Sequence, residues 1–176
     1  MAFAIRTPRL LLREWRDDDL GRFMAMAAEP EQTEYLPPGE PAWVERARAH
    51  WRTHGFGPFV VELPGVAPFI GVVGLDWIRW SLPFTPAVQA GWRLSRAYWG
   101  RGYTTEAARA SLDDGFSRLG LDEIVAYTTL ANRRSWMVME RLGMRRDFAA
   151  DFDHPNVPEG SPIRRHILYR LRRPGP

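Results

Sequence analysis

The sequence predicts a mixed α/β (α+β) fold, with a mixed central sheet of about seven strands and helices on both faces of that sheet. Three observations lead to this prediction. Segments of strand length alternate with segments whose apolar residues recur at helical spacing, no linker or repeat divides the 176 residues, and a glycine turn joins one strand directly to a helix. The predicted order is β-α-α-β-β-β-α-β-α-β-β, in a single domain covering residues 1–176.

The first half of the chain predicts one strand, two helices and a hairpin. Residues 5–15 contain three consecutive leucines, Leu10 to Leu12, flanked by arginines, as expected for a strand. The three aspartates at 17–19 predict the N-cap and acidic first turn of a helix that reaches about Ala28 and is ended by Pro30. The remaining elements of this half are a helix over 41–54, stopped by Gly55, and strands over 58–63 and 69–80 joined through Pro64 and Gly65.

The second half predicts a strand-helix-strand crossover, then a further helix and two strands. In the further helix, Asn132 stands at the N-cap position and Gly143 at the C′ position. Ligands of such crossovers bind at the carboxyl ends of the parallel strands, so the glycine turn marks the predicted site. The elements are strands over 87–95, 123–129, 144–152 and 163–171, and helices over about 104–118 and 133–142.

The residue composition excludes several kinds of chemistry. The chain has no cysteine, which rules out disulfides, thiolate metal ligands and a cysteine nucleophile. All 24 basic residues are arginine, so neither a Schiff-base lysine nor a P-loop lysine is available. His50 and His54 have the i, i+4 spacing of a metal-binding pair, but no intervening glutamate or third ligand accompanies them, and no metal is predicted.

Charge and hydropathy predict a cytoplasmic protein that binds neither nucleic acid nor membrane. The net charge is +3, and the arginine pairs are scattered along the chain instead of forming a dense basic stripe. No segment has the apolar length of a membrane span or the h-region of a signal peptide. The expected partner is therefore a small molecule or a peptide, and a homodimer is compatible with the sequence.

A turn with two glycines, Gly100 and Gly102, connects the predicted strand and helix of the crossover. Glycine permits unusual backbone dihedrals and a close approach of ligand to backbone. The first turn of a helix also presents unpaired N–H groups at the positive end of the helix dipole. The turn can therefore cradle a phosphate or pyrophosphate, although these residues alone favour a plain connection without a ligand.

Two longer motifs extend this signal. Residues 98–107 read Tyr-Trp-Gly-Arg-Gly-Tyr-Thr-Thr-Glu-Ala, and residues 128–145 contain Asn-Arg-Arg-Ser before a helix that ends in Leu-Gly-Met. The first resembles the acetyl-CoA pyrophosphate loop of the GNAT N-acetyltransferase superfamily, in its RimJ/RimL-like branch. The second is similar to the Asn-x-x-Ser motif of the same branch. The opening Thr-Pro-Arg-Leu-x-Leu-Arg at 7–13 agrees as well, so the resemblance spans nearly the whole chain.

The resemblance implies an acetyl-CoA-dependent N-acetyltransferase that transfers the acetyl group to a primary amine by direct attack in a ternary complex. The pantetheine of the co-substrate runs between two splayed strands in this family. The Leu94 N–H is therefore expected to polarise the thioester carbonyl, and Ser135 to donate a proton or hydrogen bond to the departing thiolate. The residues expected to bind acetyl-CoA are Arg93, Leu94, Gly100, Arg101, Gly102, Tyr103, Thr104, Asn132 and Ser135.

Each of these roles has a structural alternative. The Leu94 N–H can make an ordinary ladder hydrogen bond, Ser135 can satisfy local backbone groups, and Asn132 can act only as an N-cap. The chain also departs from the family pattern at two positions. Ala97 replaces the usual Gln or Arg three residues before the first glycine, and Gln89 stands where a carboxylate is often found, which puts a general base there in doubt.

The base and the acceptor are left open. Candidates for the base are Asp76, Glu34 beside Tyr35, Asp153 with His154, and a water chain. The acceptor is a protein N-terminal amine or a small amine such as an amino acid, polyamine or antibiotic. A non-catalytic acyl-CoA-binding or regulatory module is the alternative function, and a nucleic-acid-binding domain is a further one. Residues expected to shape the acceptor side are Trp77, Trp80, Trp92 and the segment from Asp151 to Ile163.

Overall fold

The structure is a computed structural model that describes residues 3–37 and 39–175. These residues form eight strands and five α-helices, with loops between them. In chain order they are β1 (Ala4–Arg6), β2 (Leu11–Arg13), α1 (Asp19–Ala27), α2 (Pro30–Thr33), α3 (Pro41–His54), β3 (Pro58–Leu63), β4 (Ala67–Trp77), β5 (Val88–Leu94), a 3-10 turn (Arg96–Tyr98), α4 (Tyr103–Ser117), β6 (Glu123–Thr129), α5 (Arg133–Arg141), β7 (Arg145–Asp153) and β8 (Arg165–Arg172).

All the strands belong to one mixed sheet with the order β1-β2-β3-β4-β5-β6-β8-β7. Neighbouring strands are antiparallel except β5 and β6, which are parallel because α4 carries the chain back across the sheet between them. The predicted mixed fold and the predicted crossover around the glycine turn are both confirmed. The last strand, β8, lies between β6 and β7.

One face of the sheet is covered by α4 and α5, whose buried residues include Ala108 and Met139. Small residues let α4 lie close to the strands. A Cβ added to Gly115 would stand 2.7 Å from Leu75 Cδ1 and 2.8 Å from Ile124 Cδ1, so the close packing at this point depends on glycine. This face holds most of the hydrophobic core.

The opposite face is covered by helices near β4 and, at Arg93, near the end of β5. Phe23 and Ala27 of α1 and Val44 of α3 are buried against Val72 of β4. Helices therefore lie on both faces, as predicted. At Gly91, in the middle of β5, this second face is open, because Gly91 is exposed and a Cβ added to it meets no heavy atom of the described residues within 4 Å.

The sequence predicted one first strand over 5–15, and the structure divides it in two. The Thr7 N–H donates to the Leu10 carbonyl at 3.0 Å, and the Thr7 hydroxyl accepts from the Leu10 N–H at 2.9 Å. Pro8, which has no N–H to give to a ladder, lies within this turn. The chain consequently folds back as β1 and β2, and the sheet has eight strands instead of about seven.

The first helix begins and ends close to prediction, with Asp18 at the N-cap, Asp19 in the first turn and Ala28 at the C-cap. Asp18 occupies the N-cap position but makes no side-chain capping bond. The next aspartate, Asp19, is fully buried and accepts two hydrogen bonds from Arg13, at 2.7 and 2.9 Å. Pro30 begins the short helix α2 because a helix tolerates proline at its first position.

Two glycines that face each other across β4 and β5 allow a direct test of this packing. A Cβ on Gly74 would stand 2.6 Å from the Gly57 carbonyl oxygen and 2.7 Å from Pro58 Cα, which are backbone atoms that cannot swing away. Gly74→Ala should therefore lower the free energy of unfolding by about 1–3 kcal/mol in urea titrations.

The matched control is Gly91→Ala, whose Cβ has open space around it. Its free energy of unfolding should stay unchanged or rise by up to about 1 kcal/mol, because alanine restricts the unfolded chain more than glycine does. Equal losses in the two variants would contradict this account of the sheet.

Candidate active site

The parallel strands β5 and β6 pair with each other at a single position among the described residues, Gln89 opposite Val125. Both strands continue beyond this pair, to Leu94 and Thr129 respectively. Their carboxyl ends therefore lie side by side without a shared ladder, and a gap opens between them. This gap lies directly before the glycine turn and before the start of α5.

The peptide groups of Leu94 point into this gap. The Ser95 N–H donates to the Ile70 carbonyl at 2.9 Å, so Ser95 faces β4, and the preceding residue of an extended strand must face the other way. The Leu94 carbonyl accepts hydrogen bonds from the Gln32 amide and, at 2.7 Å, from the Trp99 indole. The Leu94 N–H is left facing the gap, and its role toward a thioester stays a prediction.

Arg93, the other strand residue predicted to bind the co-substrate, ties β5 to the first two helices. Its backbone pairs with Val72 on the β4 side. Its guanidinium donates to the carbonyls of Ala27 at 3.1 Å and Pro37 at 3.3 Å, and to the Gln32 side chain at 3.3 Å. Gln32 is buried, with 4% of its surface exposed, so the pair Gln32–Arg93 fixes the position of the β5 terminus.

The glycine turn adopts the backbone geometry that only glycine takes readily. Gly100 has φ +72° and Gly102 has φ +78°, and Gly102 is the N-cap of α4 without any side-chain capping bond. A Cβ on Gly100 would meet no described heavy atom within 4 Å, so the outer side of the turn is open. With Tyr103 and Thr104 in the first turn of α4, free backbone N–H groups face this space. These features fit a pyrophosphate.

A clamp from the N-terminal turn holds the glycine turn in place. The Glu106 carboxylate, in the first turn of α4, accepts from the Thr7 hydroxyl at 2.6 Å and from the Arg9 N–H at 3.0 Å. The Arg9 guanidinium donates to Glu106 at 2.6 Å and to the Arg101 carbonyl at 2.9 Å, and it lies 4.6 Å from the centre of the Tyr103 ring. Sequence reasoning assigned no role to Thr7, Arg9 or Glu106.

The start of α5 forms the other side of the gap. Asn132 caps the helix, since its side-chain oxygen accepts from the Ser135 N–H at 3.3 Å. The half-buried Ser135 hydroxyl makes no hydrogen bond with any described residue. The Trp99 indole connects the two sides, because it donates to Leu94 and lies 4.3 Å from the Arg134 guanidinium. The roles predicted for Leu94 and Ser135 toward acetyl-CoA stay predictions.

The carboxylates proposed as bases are each paired with an arginine or a histidine. Asp76 lies 3.0 Å from His50 Nε2. Burial lowers the pKa of His50, but hydrogen bonds with Asp76 and the Phe56 carbonyl outweigh burial and raise it overall. The other two candidates, Glu34 and Asp153, are exposed and pair with arginines at 3.4 Å. None of these carboxylates is a free base in the structure.

The three tryptophans expected near the acceptor lie on different sides of the sheet. Trp92 packs into the core beneath α4, and Trp77 contacts Phe56 at the end of β4. Trp80 lies beside His154, with ring centres 5.8 Å apart. Strand alternation turns the Trp92 side chain to the α4 face, so it does not share a wall with Trp80.

Two further features of the described residues bear on the class of protein. No group of three or more His, Asp or Glu side chains in residues 3–37 and 39–175 is placed to hold a metal ion. None of the described helices is long and apolar enough to cross a membrane.

The sequence model of a protein family, the acetyltransferase (GNAT) domain, matches residues 9–145. The chain therefore belongs to that family. Among curated proteins it is 26% identical to the uncharacterized N-acetyltransferase YnaD of Bacillus subtilis over 157 residues, 89% of each chain. It is 28% identical to the uncharacterized protein YkkB of the same organism over 102 residues, a match that spans 58% of each. The predicted enzyme class is confirmed at the level of the family.

Solved acetyltransferase structures share the fold over nearly the whole chain. The acetyltransferase of Agrobacterium tumefaciens is 29% identical, with TM-score 0.75 and coverage of 97% of this chain and 95% of that one. The ribosomal-protein-S5-alanine acetyltransferase of Vibrio fischeri has TM-score 0.77 at 21% identity, covering 97% and 96%. Mycobacterium smegmatis RimJ, solved with a CoA disulfide, has TM-score 0.72 at 22% identity, covering 97% and 86%.

The clamp on the glycine turn predicts a pH dependence of stability. Burial raises the pKa of Glu106, but hydrogen bonds from Thr7 and Arg9 outweigh burial and lower it overall. A carboxyl with a lowered folded pKa contributes stability above its unfolded pKa, about 4.3, and loses that contribution as the pH falls through the folded pKa. Glu106→Gln should therefore be less stable than the native chain at about pH 7, and the difference should shrink toward about pH 3.

Urea titrations of both chains across this pH range measure the difference. The exposed Glu159 in the loop before β8 supplies a control, since Glu159→Gln should change stability little at any pH. A difference between Glu106→Gln and the native chain that stayed constant with pH would contradict the clamp.

Proposed function

We propose that this protein is an acetyl-CoA-dependent N-acetyltransferase that transfers the acetyl group to a primary amine by direct attack in a ternary complex. The observation that carries this proposal is the gap between β5 and β6, with the Leu94 N–H on one side and the first turn of α5 on the other. Membership of the acetyltransferase family supports it.

Acetyl-CoA is the proposed co-substrate, held mainly by backbone groups. The N–H groups of the glycine turn and of the first turn of α4 bind the pyrophosphate. The Leu94 N–H donates to the thioester carbonyl, where negative charge develops during attack, and a donor fixed in a strand needs little reorganisation to do so. The residues assigned to the co-substrate are Arg93, Leu94, Gly100, Arg101, Gly102, Tyr103, Thr104, Asn132 and Ser135.

In the transfer itself, the amine nitrogen forms a bond to the acetyl carbon and the carbon–sulfur bond breaks. The electron pair of that bond leaves with the sulfur, and the thiolate is protonated or hydrogen-bonded by Ser135 as it departs. Ser135 suits this role because its hydroxyl is half-buried at the gap and makes no hydrogen bond with a described residue. The nitrogen must lose one proton to become an amide.

The acceptor amine approaches over the open second face of β5, above Gly91. At Gly91 this face is exposed, two residues before Arg93, whose side chain contacts α1 and α2. An open, shallow approach accommodates the terminus of a peptide as well as a small amine. A peptide amine is the acceptor we propose to test first, because the structural relative from Vibrio fischeri is a ribosomal-protein-S5-alanine acetyltransferase.

Removal of the Ser135 hydroxyl tests the assignment of the leaving-group donor. Ser135→Ala should lower kcat by about 100-fold, the lower end of the effect of a general acid, while the Kd of acetyl-CoA changes less than about threefold. Thiol release from acetyl-CoA in the presence of a peptide with N-terminal alanine, and of a polyamine, measures turnover.

Ser117→Ala is the matched control, because Ser117 is an exposed serine on α4 whose hydroxyl only bonds the Asp113 carbonyl. Its turnover should equal that of the native protein. An unchanged rate in Ser135→Ala would remove Ser135 from the mechanism. Tight binding of acetyl-CoA with no thiol release on any amine would favour a non-catalytic acyl-CoA-binding module instead.

Gly91→Leu tests the proposed route of the acceptor. A leucine side chain would fill the space above the strand and should raise the KM of the amine at least tenfold, which corresponds to about 1.4 kcal/mol. The KM of acetyl-CoA should stay within about twofold of the native value, because the proposed acetyl-CoA residues do not include Gly91. Equal increases in the two KM values would contradict this route.

A further inference from the structure

A cluster of aromatic and imidazole rings stands beside the open face over β5. The His166 ring lies 5.7 Å from the Tyr127 ring and 5.0 Å from the His154 ring, measured between ring centres. Phe152 lies 5.7 Å from His166, and Trp80 lies 5.8 Å from His154. The cluster therefore holds two histidines close together, and neither has a role in the steps of acetyl transfer described above.

The sheet register places His166 at the level of the gap. His166 pairs with Thr129, the last residue of β6, and Leu168 pairs with Tyr127. Residues that face each other in an antiparallel pair carry their side chains on the same face, and so do alternate residues of one strand. His166 and Tyr127 thus share a face, and the pair Gln89–Val125 places Gly91 level with Tyr127 on that face.

The backbone contacts fix which nitrogen of each imidazole carries the proton. His166 Nδ1 lies 3.0 Å from the Arg164 carbonyl oxygen, which can only accept, so Nδ1 is protonated and Nε2 of the neutral ring has the free lone pair. His154 Nδ1 accepts from the Asn156 N–H at 3.2 Å, so its proton is on Nε2. An imidazole whose Nδ1–H is held by a carbonyl is oriented to use Nε2 as a base.

The surroundings keep both rings neutral. Burial lowers the pKa of His154 to about 4, with a further contribution from the charge of His166. Burial also lowers the pKa of His166, against a smaller opposing effect of its hydrogen bond to Arg164. The other titratable groups near the cluster are Tyr127 on β6, with Asp76 and Arg79 beyond it, and Asp153, Arg164 and Arg165, of which Asp153 pairs with both arginines.

We propose that His166 is the general base of the proposed acetyl transfer, and that its Nε2 accepts the proton of the attacking ammonium. This inference rests on the function proposed above. The step balances within the groups named: the N–H bond breaks and its electron pair stays on nitrogen, which then bonds to the acetyl carbon. The proton moves to His166, and the carbon–sulfur electron pair leaves with the thiolate. After the attack the nitrogen loses a second proton, which reaches the thiolate through the Ser135 hydroxyl, so the products are the amide, the thiol and protonated His166. Arg164 acts as the positioning group through its carbonyl.

His166→Asn is the variant that tests this role. An asparagine side-chain amide reproduces the Nδ1–H donor to the Arg164 carbonyl but has no counterpart of the basic Nε2. At about pH 7 its kcat for the alanine peptide should fall about 100-fold, a typical loss for a general base, with the Kd of acetyl-CoA unchanged. His54→Asn is the control, since His54 is exposed on α3 and should keep native activity.

The pH profile separates a base from a merely structural residue. In the native protein kcat at saturating amine should rise through an apparent pKa below 6.5 and then level off, because burial lowers the pKa of His166. In His166→Asn the plateau should vanish, and kcat should keep rising toward the pKa of the amine, since only free amine then reacts.

The outcomes are distinguishable. Native protein that turns over no amine contradicts the proposed function and this inference together. Native activity with an unchanged rate and profile in His166→Asn overturns the assignment of His166 alone. If the variant does not fold, the native profile decides: a rate that rises without a plateau up to the pKa of the amine overturns the proposal, and a plateau reached from an apparent pKa below 6.5 supports it.

Discussion

The end of the ladder between β5 and β6 is the constraint on which the rest of the site depends. A continued parallel ladder would pair the Leu94 N–H with β6 and leave no room between the strands. A buried backbone N–H or carbonyl without a hydrogen-bond partner is costly. Of the two backbone groups of Leu94, only the carbonyl has partners among the residues that the structure describes. Its carbonyl accepts from Gln32 and Trp99, while its N–H faces the gap. The site is built from what the sheet leaves unpaired.

Contacts from distant parts of the chain hold both sides of this gap. Gln32 and Arg93 fix the end of β5 against α1 and α2, and the pair Arg9–Glu106 fixes the start of α4 against the N-terminal turn. These groups are charged or buried, and their hydrogen bonds are made to backbone or to charged partners, which are the stronger kinds. The glycine turn therefore lies between two anchored segments, the end of β5 and the start of α4.

Local signals in the sequence were sufficient for most of the fold. The bounds of α3 and β6 and the cap Asn132 agree with prediction because each follows from neighbouring residues: Pro and Gly at the ends of α3, a β-branched run, and an Asn three residues before Ser135. The clamp at Glu106 joins residues 97 positions apart, and Gln32 lies 62 positions from Leu94. Such pairs leave no local pattern, so the sequence alone did not identify them.

The neighbouring residues of the sheet explain why an amide at Gln89 is more favourable than a carboxylate. A carboxylate at this position would lie on the same face as Asp76, which pairs with Gln89 across β4 and β5, and two like charges would oppose each other there. Asp76 is already held by His50. A neutral imidazole on β8 can accept a proton without adding a second negative charge to this face. In the proposed mechanism, His166 therefore takes the proton from the opposite side of the gap to position 89.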